Sequence, residues 1–258
     1  MTAMTNVWVI CRKELRSYFA SPIAYAVMAL FALIFGLVFY SATREFVNFS
    51  FRSQMNGGGP PMSVNEYIIR PMLGFAGTVS LFLIPLISMR LIAEEKRNGT
   101  IELLLTSPIQ DLSIILGKWL GAMLLYLFVL GMSLLNIAFL FAWGKPDWKP
   151  VLVAYFGLLL QGGCLLAVGA LISAMTSNQI VAGGAAFFVS LILYMLSWFT
   201  EYDSTTASRV LNYVSIVPHM ENFSKGIFDL KDSVFYVSFI FLTLFLTARQ
   251  MESLRWRS

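Results

Sequence analysis

Long apolar runs alternate with short polar stretches along the chain, and most of the charged residues fall in the polar stretches. A bilayer core about 30 Å thick is crossed by a helix of about 20 mostly apolar residues. The runs therefore predict an all-α membrane protein, with one transmembrane domain over residues 1–258 that contains six spans. We expect the spans at about residues 22–40, 71–89, 111–143, 150–175, 180–199 and 233–247.

The segment before the first span predicts a helix at the membrane surface. Its apolar positions Val7, Ile10, Leu15 and Phe19 share one face, as in interfacial amphipathic helices. A signal peptide is the alternative, because residues 41–43 resemble a weak cleavage site. The apolar run is longer than the roughly 7–15 residues of a signal-peptide core, which favours a span.

Two other segments between spans have different patterns. Residues 43–70 are polar and contain the Gly-Gly-Gly-Pro-Pro cluster 57–61, which predicts a loop outside the membrane. Residues 200–232 are polar at both ends and half-apolar in between, with Pro218 as an interruption. They predict two short interfacial or re-entrant helices on the outer side, before the last span.

The segment 90–118, between the second and third spans, is charged but unusually apolar for a loop. Gly99 divides it into two short helices, and Pro108 ends the second. Glu102 lies in the first turn of that second helix, where a carboxylate suits the helix dipole. We expect an amphipathic helix to which a soluble partner could dock, and a solvated loop is the alternative. Lys118 and Trp119 are expected at the membrane interface.

Composition supports the membrane interpretation. Hydrophobic residues make up 58% of the chain and charged residues 12%, against roughly 25% charged in soluble domains. A soluble fold would have too few polar residues to cover its surface. The two cysteines, Cys11 and Cys164, indicate neither a disulfide framework nor a metal site.

Charge gives an orientation. Six crossings place both termini on one side, together with segment 90–118, and that side carries ten of the 18 Lys and Arg residues but six of the 14 acids. The positive-inside rule then makes both termini cytoplasmic. The net charge of +4 lies on that face, where it matches anionic lipid headgroups.

Four motifs occur in order along the chain. Residues 94–108 read E-E-K-R-N-G-T-I-E-L-L-L-T-S-P and are followed by Gly117-Lys118. R-K-E-L-R-S-Y-F-x-S-P precedes the first span at 12–22, S-A-M-T-S-N-Q lies at 173–179, and a fourth stretch covers 215–230. Together they closely resemble the permeases of type-2 ABC exporters, above all the branch of gliding-motility and nitrous-oxide-reductase-maturation permeases.

This resemblance implies a half-transporter in the bacterial inner membrane. Two permease copies would work with two ABC ATP-binding subunits, which bind the ATP and Mg, and a periplasmic accessory protein is possible; no nucleic-acid partner is expected. The implied coupling residues are Glu94, Glu95, Gly99, Thr100, Glu102, Leu103 and Pro108. The first and fifth spans would form the dimer seam, which suits the small-residue patch Gly183, Gly184, Ala185 and Ala186.

The chain has no ATP site of its own by sequence. A P-loop needs G-x-x-x-x-G-K-[ST], but Trp119 follows Gly117-Lys118 and Leu112 stands where the first glycine belongs. No catalytic or metal residues are therefore predicted, and ATP-driven function needs a separate chain.

Two other function classes are alternatives. An intramembrane protease is disfavoured because the single histidine, His219, cannot build a two-histidine metal site. An ATP-independent secondary transporter or channel usually has ionisable groups at mid-membrane, and none is evident in the spans, where Gln161 and Asn136 are the main polar residues. The substrate, and whether the chain exports cargo or drives an envelope machine, stay open.

Overall fold

The computed structural model describes residues 3–55, 63–102, 109–144, 146–200 and 205–255. Their elements are helices: α1 (Ala3–Ala20), α2 (Pro22–Met55), a π-helical turn (Asn65–Ile69) that leads into α3 (Arg70–Ser88), α4 (Ala93–Arg97), α5 (Asp111–Gly144), α6 (Trp148–Met175), α7 (Gln179–Thr200), α8 (Thr206–Val214), α9 (Ile216–Ser224) and α10 (Leu230–Arg255). Within these ranges six helices, α2, α3, α5, α6, α7 and α10, are long and apolar enough to cross a membrane. The predicted all-α fold with six spans is confirmed.

Two of the spanning helices are longer than their apolar runs. Helix α2 continues to Met55, through much of the predicted loop 43–70, and α10 begins at Leu230 and ends at Arg255 rather than covering 233–247. Polar residues mark where the membrane-embedded part of a helix ends. The helix itself can continue beyond that point in water. The start of α10 follows Asp229, whose side chain accepts a hydrogen bond from the Lys231 amide at 2.9 Å.

Helix α6 lies at the centre of the bundle, in contact with α3, α5, α7, α9 and α10. In α3 and α6, 67% of the most apolar stretch is buried, compared with 22% in α2 and α7. Glycines on α6 face different neighbours: Gly157 meets Phe223 of α9, Gly162 meets Tyr126 of α5 and Gly169 meets Ser88 of α3. Small residues let helix backbones approach closely where lipid supplies no hydrophobic drive.

Helix α1 packs along the beginning of α5. Gly117 and Gly121, four residues apart, open one face of α5, and a Cβ at Gly117 would lie 2.7 Å from the Cβ of Ile10. A Cβ at Gly121 would lie 2.8 Å from the Cβ of Glu14. The apolar face that predicted a surface helix is therefore largely covered by the chain itself, while Trp8 faces outward.

The predicted pair of short helices before the last span is present as α8 and α9. They separate at Ser215, whose backbone is extended, and Pro218 lies in the first turn of α9 rather than breaking the helix. Proline fits this position because the first-turn amides need no helical acceptor. One face of α9 is buried against the bundle.

His219 joins α8, α9 and α10. Its Nδ1 lies 2.7 Å from an oxygen of Asp232, and its Nε2 lies 2.9 Å from the Tyr213 carbonyl. Asn222 donates to the second Asp232 oxygen at 2.9 Å, and the imidazole stacks on Phe235 with ring centroids 3.9 Å apart. Both ring nitrogens of His219 therefore have hydrogen-bond partners within the chain.

Candidate functional site

Helix α4 is the charged segment that the sequence singles out, and it ends at a glycine turn. The Asn98 amide donates to the Glu94 carbonyl at 3.0 Å, and the Thr100 amide returns to the Glu95 carbonyl at 3.0 Å. Between them, Gly99 has φ of +69°, a left-handed conformation that favours glycine. The first predicted helix thus ends at Gly99, whereas most of the predicted second helix lies outside the described residues.

The start of α4 is capped from another helix. The Ser173 hydroxyl oxygen, at the end of α6, accepts from the amides of Ile92 and Ala93 at 3.1 and 2.9 Å and donates to the Met89 carbonyl at 3.2 Å. These three backbone groups belong to Met89, Ile92 and Ala93, at the start of α4 or just before it. Since Ile92, Ala93 and Ser173 are buried, this serine satisfies amides that water would not reach.

The reversal between α6 and α7 completes this attachment. Lys96 donates to the Ala174 carbonyl, near the negative end of the α6 dipole. Asn178 then caps α7, because its side-chain oxygen accepts from the Ile180 amide at 3.0 Å. The motif 173–179 therefore holds α4 with its first residues and starts α7 with its last.

A buried ion cluster, formed by Glu14, Glu95 and Lys118, joins α1, α4 and α5. The Lys118 ammonium lies 2.9 Å from a carboxylate oxygen of each glutamate. The Lys118 side chain is 5% exposed, and those of Glu14 and Glu95 are 11% and 12% exposed. Lys118 is covered by the chain itself, because Gly117 and Gly121 bring α1 so close that Glu14 packs over it, and its expected position at the membrane interface stays a prediction.

Arg90 makes a second joint between α1 and the start of the α4 segment. Its guanidinium donates to the Ser17 hydroxyl at 3.0 Å, lies 3.4 Å from a Glu94 oxygen and stands 4.5 Å from the centre of the Tyr18 ring. The Tyr18 hydroxyl donates to the Ile87 carbonyl at 3.1 Å. Burial raises the pKa of Tyr18 above its ordinary value, which keeps the phenol a neutral donor.

A cavity of about 480 Å³ opens between α1, α4 and α5. Most of the residues that line it are polar or charged, among them Lys13, Arg90, Glu94, Glu95, Asn98 and Thr100. The second carboxylate oxygen of Glu95 is buried there, with no hydrogen-bond partner among the described residues. An acceptor of this kind can receive a basic or hydroxyl side chain from outside the chain.

The predicted coupling residues that the structure describes fall into two groups, one attached to neighbouring elements and one exposed. Glu94 and Glu95 attach α4 to its neighbours, whereas Gly99, Thr100 and Glu102 are exposed at its end. Leu103 and Pro108 lie outside the described residues. The segment thus has an attached inner side and an exposed outer side.

The predicted dimer patch is divided in the same way. Ala186 is buried, and Gly183 packs against Met89, with a built Cβ 3.2 Å from the Met89 Cβ. Gly184 is exposed, with open space where a Cβ would stand, and Ala185 is half-buried. Of the four residues, Gly184 is the one whose position suits a contact outside the chain.

Glu14, Ser173 and Lys118 are among the residues of the site that sequence reasoning did not identify. They lie inside the quoted motifs, but their role depends on contacts with segments about 80 or more residues away. The available signal was the pair Gly117 and Gly121 around Lys118, a spacing typical of close helix contact.

A family model described as "ABC-2 family transporter protein" matches residues 8–248, nearly the whole chain. The chain belongs to the ABC-2 transporter family. The ABC permease part of the resemblance is thereby confirmed, and the chain is a multi-pass membrane protein of this family. The narrower gliding-motility or nitrous-oxide-reductase branch stays a prediction.

Two relatives come from Escherichia coli, strains K12 and O157:H7, and each is named "Probable multidrug ABC transporter permease YbhR". Each shares 23% identity with this ABC-2 chain over 180 residues, which is 69% of this chain and 47% of the relative. The chain thus spans about half the length of the curated relatives it matches.

Proposed function

We propose that this ABC-2 chain is the permease subunit of an ATP-driven exporter. Two copies pair in the bacterial inner membrane, and each binds a separate ABC ATP-binding subunit that supplies ATP hydrolysis. The hydrolysis drives either the export of a substrate or an envelope machine. A periplasmic accessory protein would extend the complex on the outer side.

The observation that carries this proposal is the attachment of α4. Its inner side is fixed to three neighbours, by the ion cluster on α1 and α5 and by Ser173 of α6. Residues 97–100 and Glu102 are left exposed at its end. A rigidly attached helix with an exposed end transmits a push from a soluble partner to several spanning helices at once.

The cavity beside α4 adds a second contact point. Because one Glu95 oxygen has no hydrogen-bond partner among the described residues and Glu95 lines this cavity, a basic side chain of the ATP-binding subunit would find a charged acceptor there. With both termini cytoplasmic, α4 faces the cytoplasm, where an ATP-binding subunit is available.

The docking role is tested by reversing the charge at Glu102. We expect Glu102→Lys to lower the recovery of the ATP-binding subunit about tenfold or more in affinity purification from native membranes, because like charges at an interface are strongly unfavourable. ATPase activity of the purified complex should fall in parallel. Glu66→Lys is the matched control, since Glu66 is also exposed but lies next to α3 at the end of the bundle away from α4.

Two results would contradict the docking role. One is normal recovery and a normal ATPase rate for Glu102→Lys; the other is a wild-type chain that never recovers an ATP-binding subunit. The second result would favour the ATP-independent transporter.

The dimer seam is tested at Gly184. Since a Cβ there meets no atom of the described residues within 4 Å, Gly184→Leu should leave folding unchanged. We expect crosslinking between two differently tagged copies to fall severalfold, because a leucine keeps facing helices apart. Gly131→Leu on α5, also with open space around it, is the control. Equal crosslinking in both variants would place the seam elsewhere.

A further inference from the structure

A second cavity, of about 450 Å³, lies between α3, α6, α7 and α9, in the half of α3 that is remote from α4. Phe75 and Gly77 of α3, Gln161 of α6 and Met220 of α9 line it. This volume is within the range of small-molecule sites. None of its lining residues belongs to the α4 site described above.

Gln161 gives this cavity an unpaired polar atom in the middle of a spanning helix. The side chain is 2% exposed, and its amide nitrogen donates to the Gly77 carbonyl at 3.3 Å. That bond fixes the direction of the amide, so its oxygen is the remaining acceptor, and it has no partner among the described residues. Buried acceptors are nearly always satisfied, above all within a membrane.

Gly77 packs closely against this oxygen. A Cβ at this position would lie 2.9 Å from the Gln161 oxygen. Any side chain on residue 77 would therefore crowd the acceptor.

The remaining lining determines what could fill the cavity. Thr78 and Tyr194 pair through their hydroxyl groups at 3.0 Å, and Phe75, Val217 and Met220 give apolar surface. The one charged lining residue, Glu221, is exposed at the rim and pairs with Lys225 at 2.5 Å. The interior thus offers apolar contact and a neutral acceptor, without a charge to balance an ionic ligand.

We propose that this cavity binds an uncharged, mainly apolar molecule whose hydroxyl or amide N–H donates to the Gln161 side-chain oxygen. The apolar body packs against Phe75 and Met220. The physiological meaning, a substrate of the exporter, rests on the proposed function, but the binding itself does not require an ATP-binding subunit.

Photolabelling of the full chain in lipid nanodiscs, without ATP, tests this binding. The probes are a twelve-carbon primary alcohol that carries a diazirine, the same diazirine hydrocarbon without the hydroxyl, and the corresponding carboxylate. We expect the alcohol to label peptides of α3 and α9 and to be displaced by excess dodecanol. The hydrocarbon and the carboxylate should label these peptides about three- to tenfold less, as expected for one lost hydrogen bond or a buried charge.

Variants separate the acceptor from general lipid contact. Gln161→Leu removes the oxygen and should reduce the difference between alcohol and hydrocarbon severalfold. Thr78→Val removes a lining hydroxyl that already pairs with Tyr194, so it should leave most of that difference in place. Thr243→Val is the matched control, because Thr243 is buried in α10, bonds to Phe239 and does not line the cavity.

Equal labelling by alcohol and hydrocarbon, or unchanged labelling of Gln161→Leu, would overturn the proposal and assign the cavity to water or lipid chains. If Gln161→Leu does not fold, the ratio of alcohol to hydrocarbon labelling on the wild-type chain decides. Loss of ATPase docking with intact labelling would contradict the proposed function alone.

Discussion

Replacing Lys118 with methionine should lower the free energy of unfolding by about 3–5 kcal/mol, the cost of removing one partner from a buried ionic group. Glu14 and Glu95 would then face each other without the ammonium that lies 2.9 Å from both. Methionine keeps a similar length, so packing changes little and the loss is electrostatic. Denaturation of the purified chain with sodium dodecyl sulfate, followed by circular dichroism, measures it.

A neutralised cluster is the decisive comparison. With Glu14→Gln and Glu95→Gln added, Lys118→Met should regain most of the lost stability, because replacing a whole buried ion group is often nearly neutral. Lys225→Met is the control: its pair with Glu221 is much more exposed, and its loss should cost about 1 kcal/mol or less. If the triple variant is no more stable than Lys118→Met, the cluster is not the source of the effect.

The same variants connect stability with coupling. The ion cluster links α1, α4 and α5 directly, so the triple variant should fold but hold α4 less specifically. In the proposed complex this predicts normal recovery of the ATP-binding subunit with a weaker link between ATP hydrolysis and transport. Residues buried behind the exposed end of α4 would then affect its function through attachment alone.

The spans could be predicted because the lipid imposes them. A run of about 20 apolar residues has few alternatives to a membrane helix, and the six runs gave six helices. Helix ends outside the lipid obey other rules. Helix α2 continues past polar residues to Met55, next to the glycines and prolines at 57–61, and α8 ends at extended Ser215 rather than at Pro218.

The contacts between helices were harder to predict from the sequence than the helices themselves. A helix such as α6, apolar on all sides, has no amphipathic stripe that tells which face meets which partner. The resemblance located the segment around Gly99, but the residues that hold it come from 80 or more positions away. Contacts of this range depend on how helices cross, which a single sequence does not contain.

The glycines of α6 lead to the second large effect. Gly162→Ala should destabilise the bundle by about 1–3 kcal/mol, as overpacking does in well-packed cores. The new Cβ would stand 2.1 Å from the Tyr126 ring. That ring is fully buried, and its hydroxyl contacts Ser80 at 2.8 Å and the Leu158 carbonyl at 3.3 Å, so it cannot turn aside without losing both.

Gly131→Ala and a compensating variant make this second measurement specific. A Cβ at Gly131 meets nothing within 4 Å, so its unfolding free energy should stay within about 0.5 kcal/mol of the wild type. Tyr126→Leu combined with Gly162→Ala should be less destabilised than the two single changes added together, because the smaller side chain makes room for the new methyl group. Strict additivity would mean that the contact between α5 and α6 at Gly162 has enough freedom to relax. A double variant that is more stable than the sum of the single changes predicts would instead show that the lack of a side chain at Gly162 allows α5 to pack closely against α6.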